Sequence, residues 1–357
     1  MTPGHSRRRR DAALRRRRRR RLTGSACAVA LAIVVALLLA AHSTTHAHRA
    51  PAAVAHAPRA LPAGTIPPAR LSPAGDALGN SPFTLTGAGE PQRDVVHVAF
   101  ASPPRAGLLF NIGTGQVLWQ RNSFRRLRIA SLTKMMTALI TVRSAPPNAH
   151  VLVTRQAVES AGSKVGVLPL GRRVRLESLL YGLLLPSGND AAEALAQHVS
   201  GSTSRFVARM NAQAAELGMA CTRFASPSGY IDAGNFSCPV DLAVLARLDL
   251  QQPRLARIVH TASAALPFPV KGGKLYLYNN NPLLIYHYPG LTGLKTGYTL
   301  AAGKCLVATA KRHGVRLGVI LLHSPDPATQ AARLLNRGFE GVYHQAPIPE
   351  TPIPAGA

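Results

Sequence analysis

Acidic side chains are scarce: 15 Asp and Glu stand against 42 Lys and Arg in a chain of 357 residues, leaving a net charge of +27. Lysine is scarcer still, with seven positions; arginine supplies the rest of the basic residues. Cysteine is nearly absent. Cys27 lies in an apolar segment, and Cys221, Cys238 and Cys305 are an odd remainder that allows at most one disulfide. That excludes a disulfide-stapled scaffold, and leaves open which of the three pair. Cys27 precedes the apolar run, so it is no lipoprotein acylation site. No internal repeat is present.

The charge is unevenly spread. Eleven arginines within residues 7–10 and 15–21, against Asp11, carry ten of the 27 positive charges. Residues 91–357 hold 28 basic and 12 acidic residues, a balance of +16. A surface of that sign suits polyanions: nucleic acid, anionic lipid or acidic wall polymers. The segment after the arginines argues against nucleic acid. Residues 26–41 read "ACAVALAIVVALLLAA", without a charge. A positive segment, an apolar stretch and then small residues form an export signal or signal-anchor. Residues 22–41 are long enough to span a bilayer, with residues 1–21 kept cytoplasmic by the positive-inside rule. "AHS" at 41–43 is a poor cleavage site, which favours an uncleaved anchor over a signal peptide. The bulk of the chain is then extracytoplasmic.

Residues 42–92 are rich in Ala, Pro, Gly, Ser and His and read as a disordered linker. His42, His46 and His48 lack acids or cysteines around them and are not taken as a metal site. A folded domain is expected over 93–345, and a loose proline-rich tail over 346–357. "GLLFNIGTGQVLWQRN" (107–122) alternates on both sides of "GTG" and reads as a β-hairpin. A helix is expected from Ser131 to about Val142. "LESLLYGLLLP", "NDAAEALAQHV", "TSRFVARMNAQAAELGM" and "CPVDLAVLARL" are apolar at helical spacing; Pro239 is placed to start the last. "GLKTGYTL", "GKCLVATAK" and "VRLGVILL" are strands, and "DPATQAARLLNRGFEGV" closes as a helix. Strands at both ends with helices between predict an α/β (α+β) sandwich whose antiparallel sheet pairs its first strands with its last.

Three short motifs carry chemistry. In "RIASLTKMMTAL" (128–139), Ser131 and Lys134 stand one helical turn apart, with Ser131 at a helix N-terminus that favours developing negative charge. The serine suits a nucleophile. The lysine can be its base only if burial and a second cation lower its pKa. In "PSGND", Ser187 and Asn189 lie at a turn between helices, where a hydroxyl can relay a proton and an amide can hold a substrate carbonyl and the lysine amine. In "LKTG", Lys295 and Thr296 can bind a substrate carboxylate, and Gly297 lets a substrate backbone approach the strand edge. Each motif alone is weak: isolated, the first is a solvated helix face, the second a helix cap, the third a strand-end charge. Their order and placement at element boundaries carry the weight. The trio is a known signature of β-lactamases and penicillin-binding proteins.

On these residues the chain resembles the D-alanyl-D-alanine carboxypeptidase family, the low-molecular-mass penicillin-binding serine peptidases. "GTGQVLWQRN", "ASLTKMMTAL", "LLYGLLLPSGNDAAEALA", "FVARMNAQAAELGM", "TRFASPSGY", "PVDLAVLAR" and "YPGLTGLKTGYTLAAGKCLVATAK" extend the resemblance over roughly 95–343. The resemblance implies a β-lactamase/transpeptidase-like fold: a five-stranded antiparallel sheet flanked by helices, a helical lobe, and a site between them. It implies that Ser131 attacks the D-Ala-D-Ala bond of a peptidoglycan stem peptide and that Lys134 takes its proton. Ser187 and Asn189 complete the proton network and bind substrate. Lys295 and Thr296 hold the terminal carboxylate. The backbone N–H groups of Ser131 and Tyr298 form an oxyanion hole. β-Lactams would acylate the same serine, and no metal or organic cofactor is implied. Ile129-Ala130 stands where the family often has Pro-Ala, Asn111 where it often has Asp, and Leu300 where an acid often follows. No arginine is assigned to the substrate carboxylate.

Alternatives within and beyond the family are a D,D-endopeptidase cutting cross-links, a β-lactamase, a non-catalytic wall-binding protein and a nucleic-acid binder. A β-lactamase would need a deacylating group. No Glu-x-x-Leu-Asn stretch is present, and Glu177 and Glu193 read as helix surface.

Overall fold

An inner strand of the sheet explains the architecture. Strand β1 (Ala106–Asn111) is buried at every position, because the sheet it belongs to is covered on both faces. Leu108 and Phe110 enter one hydrophobic cluster and Leu109 the other. The computed structural model describes residues 83–349, apart from Asp232, together with 353 and 354. The expected arginine-rich segment, the apolar segment 22–41 and most of the expected linker lie outside the described residues. Among the described residues no helix is long and apolar enough to cross a membrane.

The strands in chain order are β1, β2 (Val117–Arg121), β3 (Leu127–Arg128), β4 (His150–Leu152), β5 (Arg173–Arg175), β6 (Phe236–Ser237), β7 (Ser263–Pro267), β8 (Lys274–Tyr278), β9 (Leu291–Thr299), β10 (Gly303–Arg312) and β11 (Val315–Ser324). Five of them form the main sheet, in the order β2-β1-β11-β10-β9. Every pairing is antiparallel. The first strands do pair with the last, and β9 is left as an edge. Three two-stranded ribbons, β3-β6, β4-β5 and β7-β8, lie outside it.

The helices are α1 (Lys134–Ser144), α2 (Arg155–Val158), α3 (Leu176–Leu184), α4 (Asn189–Ser200), α5 (Thr203–Glu216), α6 (Pro239–Leu250), α7 (Pro253–His260), α8 (Pro282–Ile285) and α9 (Pro327–Arg337). Leu132, Leu139, Leu183, Ala192 and Val244, from the turn Ala130–Thr133 and from α1, α3, α4 and α6, share the first cluster with Ile320 and Leu322 of β11. Leu334 and Leu335 of α9 share the second with Val319 and Leu321. The alternation of β11 therefore divides two apolar sets between two helical layers.

Three boundaries differ from the sequence reading. Phe83 and Leu85, assigned to the linker, are buried in the first cluster. Thr86 bridges Gln116, and a Cβ on Gly115 would fall 2.1 Å from the Thr84 carbonyl. Arg247 of α6 is fully buried, donates to the Ile112 carbonyl and lies 4.7 Å from the Phe83 ring centroid. The hairpin turn, α6 and residues 83–86 thus pack as one unit. At the other end Ile348 and Ile353, placed in the loose tail, pack against the second cluster. The helix expected from Ser131 begins one turn later. Ala130–Thr133 is a 3-10 turn, and the α-helix starts at Lys134. The α7 helix and the β7-β8 hairpin were not anticipated; proline and paired glycines break both patterns.

Asn111 stands where aspartate is usual, at the hairpin turn. Its Oδ1 accepts from the Gly113 and Thr114 N–H groups, and its Nδ2 donates to the Tyr343 hydroxyl at 2.6 Å. An aspartate would keep the turn and accept from the Tyr343 hydroxyl instead of donating to it.

Cys221 and Cys238 form a disulfide, and Cys305 is a buried cysteine outside it. The bridge closes the base of a loop that returns to α6. Beside it Asp241 accepts from the Cys221 N–H and the Thr222 hydroxyl, and burial pushes its carboxyl up to about 6. A crosslink over 17 residues restricts the unfolded chain by about 3 kcal/mol. The double variant Cys221→Ala/Cys238→Ala is expected to lose that much stability in urea unfolding, with an m-value equal to or above that of the wild type as the unfolded chain expands, and dithiothreitol should shift the wild type in the same direction.

Candidate active site

The candidate nucleophile sits at a backbone position of unusual geometry. Ala130 has φ +47°, a left-handed conformation costly for a residue with a Cβ and common at functional sites. It turns the chain from β3 into the 3-10 turn that carries Ser131. Gly229 makes this turn possible. A Cβ there would stand 2.0 Å from the Ala130 carbonyl oxygen. Thr133 then bonds the Ala130 carbonyl and the Asn235 amide, closing the turn on its other side. Ile129, at the place of the usual proline, is fully buried, and its carbonyl accepts from the Leu132 N–H.

Lys134 follows on the first turn of α1 and has no exposed surface. Its Nζ lies 2.9 Å from Ser131 Oγ, 2.7 Å from Asn189 Oδ1 and 2.9 Å from the Ser228 carbonyl oxygen. Three acceptors match the three N–H bonds of an ammonium. No carboxylate is among them. Burial pushes the pKa well below its ordinary value. The Lys295 charge pushes it further down, and Asp190 opposes both. A neutral Lys134 would keep two N–H bonds, to Asn189 and Ser228. Its lone pair would then face the Ser131 hydroxyl and accept its proton. The geometry fits a general base as it stands.

Asn189 is the first residue of α4, and its amide is fixed from both ends. Oδ1 accepts from Lys134, and Nδ2 donates to the Ala161 carbonyl at 2.6 Å. Its backbone N–H donates to the Ser163 carbonyl. Asp190 accepts from the Val165 and Gly166 N–H groups. The "SGND" turn therefore anchors the loop 161–166, whose Ser163 lines the cleft. Ser187 has φ +67° and is almost fully buried, and its Oγ makes no hydrogen bond to a protein group. The structure brings it to the cleft without joining it to Lys134.

Lys295, Thr296, Gly297 and Tyr298 lie on the edge strand β9. Lys295 is buried, donates to the Thr296 carbonyl at 3.0 Å, and has its pKa pushed down to about 7 by desolvation. Thr296 and the exposed Tyr298 line the cleft. Gly297 has a reason the sequence did not disclose. A Cβ there would stand 2.9 Å from the Ile129 carbonyl oxygen and 3.1 Å from the Ser131 nitrogen. Its smallness admits the nucleophile turn itself, bringing the Ser131 N–H beside the backbone of Gly297–Tyr298.

The cleft has a volume of about 400 Å³. Besides the residues of the three motifs it is lined by Ser163, Asn280, Tyr286 and Lys304. None of these was anticipated from the sequence, and no arginine lines it. The Ser228 carbonyl was missed as well. "SPSGY" carries it, but a backbone acceptor leaves no side-chain signature.

Residues 101–325 match the family model described as D-alanyl-D-alanine carboxypeptidase. The D-alanyl-D-alanine carboxypeptidase DacF of Bacillus subtilis is 33% identical over 239 residues, covering 66% of this chain and 61% of that protein. The chain thus spans less than two thirds of that relative's length. DacB2 of Mycobacterium tuberculosis, also a D-alanyl-D-alanine carboxypeptidase, is 36% identical over 245 residues, with 66% of this chain and 82% of that protein covered. A crystal structure of a D-alanyl-D-alanine carboxypeptidase from M. tuberculosis superposes with a TM-score of 0.64 at 34% identity, over 70% of this chain and 95% of that one.

The Lys295 charge contributes to the depressed pKa of Lys134. Removing it should raise that pKa. In Lys295→Met the acidic limb of the pH profile for Ser131 acylation by a fluorescent penicillin is expected to move to higher pH, apart from any loss of affinity. An unmoved limb would separate the two lysines electrostatically.

Proposed function

Since the chain belongs to the D-alanyl-D-alanine carboxypeptidase family, we propose that it removes the terminal D-alanine from peptidoglycan stem peptides through an acyl-enzyme on Ser131. The observation that carries the reading is the cradle of Lys134: a buried amine with its Nζ 2.9 Å from a partly exposed serine hydroxyl and no carboxylate to hold its proton.

Lys134 takes the Ser131 proton as Oγ bonds to the carbonyl carbon of the penultimate D-alanine. The carbonyl oxygen gains negative charge and is held by the Ser131 and Tyr298 N–H groups, each donor contributing about 3 kcal/mol to the transition state. The proton moves from Lys134 to the departing amine, relayed by the Ser187 hydroxyl, which makes no bond to a protein group before substrate enters. The bond to the last D-alanine breaks and leaves an ester on Ser131. Asn189 holds the acyl amide. Lys295 and Thr296 hold the terminal carboxylate, whose charge raises the Lys295 pKa that burial depresses. Water then attacks the ester, with Lys134 as base. A β-lactam presents the same carbonyl and carboxylate but retains its leaving group, so it blocks the site.

The arginine-rich start and the apolar segment 22–41 support export, with the catalytic domain outside the cytoplasmic membrane and tethered to it. The +16 balance of residues 91–357 favours attraction to anionic wall polymers. No nucleic-acid role is proposed.

Intact-protein mass spectrometry after penicillin should show one adduct, mapped to Ser131. Ser131→Ala should lose the adduct and lower D-alanine release by on the order of 10⁴-fold or more. Free D-alanine from monomeric muropeptides supports the carboxypeptidase; loss of cross-linked dimers without it would make the protein an endopeptidase.

A further inference from the structure

A second cavity, of about 320 Å³, is lined by the strand that leads into the Ser131 turn and by the β9-β10 turn. Its lining includes Arg105, Arg126, Arg128 and His323, together with Ala301 and Ala302 of the β9-β10 turn and Phe236 of β6. Arg128 is three residues before Ser131. Ala301 is three residues after Tyr298. The cavity is therefore bounded by the same two segments that meet at the nucleophile.

Three guanidiniums share this space, and among the described residues none has a carboxylate within ion-pair distance. Arg126 uses one nitrogen on the Ala220 carbonyl and lies 5.8 Å from the Phe236 ring centroid. Arg105 is held by its backbone: its N–H donates to the His323 carbonyl, and its own carbonyl accepts from the Asn122 amide. His323 has φ +50°, strain of the kind that persists where the surroundings enforce it. The ring packs so closely on Gly303 that a Cβ there would stand 2.8 Å from it. Arg126 also acts on the buried Asp241 carboxyl, opposing the effect of burial on it, which leaves the exposed Arg105 and Arg128 without an ion pair; a site for an anion gives the arrangement a use.

We propose that this cavity is a carboxylate subsite for the acyl-donor part of the substrate, an inference that rests on the carboxypeptidase reading. With the leaving D-alanine's carboxylate at Lys295 and Thr296, the acyl portion runs the other way along the β9 edge, past Tyr298 towards Ala301. An extended peptide covers about 3.3 Å per residue. The residues two and three positions ahead of the scissile bond then reach the arginines. The subsite selects stem peptides that carry a free carboxylate there, as a diacidic diamino acid does and lysine does not.

Two synthetic donors ending in D-Ala-D-Ala test it, identical except for a diaminopimelyl or a lysyl residue before the alanines. The wild type should hydrolyse the diaminopimelyl donor with kcat/KM about tenfold higher. Arg105→Gln/Arg126→Gln should abolish that preference while turnover of the lysyl donor and labelling by penicillin stay unchanged. Arg105→Gln alone, at an exposed side chain, should reduce it in part. Equal kcat/KM for the two donors in the wild type overturns the subsite and leaves the carboxypeptidase standing. Equal losses on both donors in the variants also overturn it. If neither donor is cleaved, the carboxypeptidase reading falls, and the subsite with it. If a poly(glycerol phosphate) inhibits the wild type but not the double variant, and the donors are not distinguished, the cavity belongs to a wall polyanion and the proposal fails.

Discussion

The site depends on keeping one ammonium group out of water. Desolvating an unpaired charge costs several kcal/mol, and the fold leaves Lys134 with no carboxylate in hydrogen-bond contact, the Asp190 charge offsetting only part of the burial. What surrounds the amine instead is a set of neutral dipoles: a hydroxyl, an amide oxygen and a main-chain carbonyl. Neutral acceptors satisfy the N–H bonds without holding the proton as an anion would. A second buried cation, Lys295, then tips the balance towards the free amine. Each acceptor comes from a different part of the chain, so the helical layers and the sheet must close before the lysine is tuned.

That dependence explains much of the surrounding structure. Asn189 serves Lys134 because its amide is pinned by Ala161, whose loop is in turn held by Asp190. The Ser228 carbonyl is presented by a loop tied at its base by Cys221–Cys238. Its neighbour Pro227 accepts from the Thr137 hydroxyl of α1, one helical turn beyond the lysine. Positioning is thus carried largely by main-chain groups, with a few side chains as pins.

The same fact sets what was legible in the sequence. The antiparallel sheet, the helices from 176 to 250 and the three motifs could be read because apolar spacing and side-chain identity encode them. Ser228 was invisible as an acceptor because any residue has a carbonyl. Gly297 was read as room for a substrate, since excluded volume against a distant segment leaves no local pattern. Phe83 and Leu85 were lost in a proline- and alanine-rich run, where two apolar residues are too few to register a period. The pairing of Cys221 with Cys238 is a matter of tertiary proximity, and composition could only limit it to one bridge.

The contact at Gly297 also divides the cleft into walls of unequal tolerance. On one side two backbones touch with no side chain between them. On the other stands α8, a single helical turn whose Ile285 is more than half exposed. Substitutions that narrow the cleft against bulky inhibitors have room on the α8 side. At Gly297 they would displace the nucleophile itself. On the proposed function, changes in β-lactam sensitivity that spare turnover are therefore confined to one wall of the site.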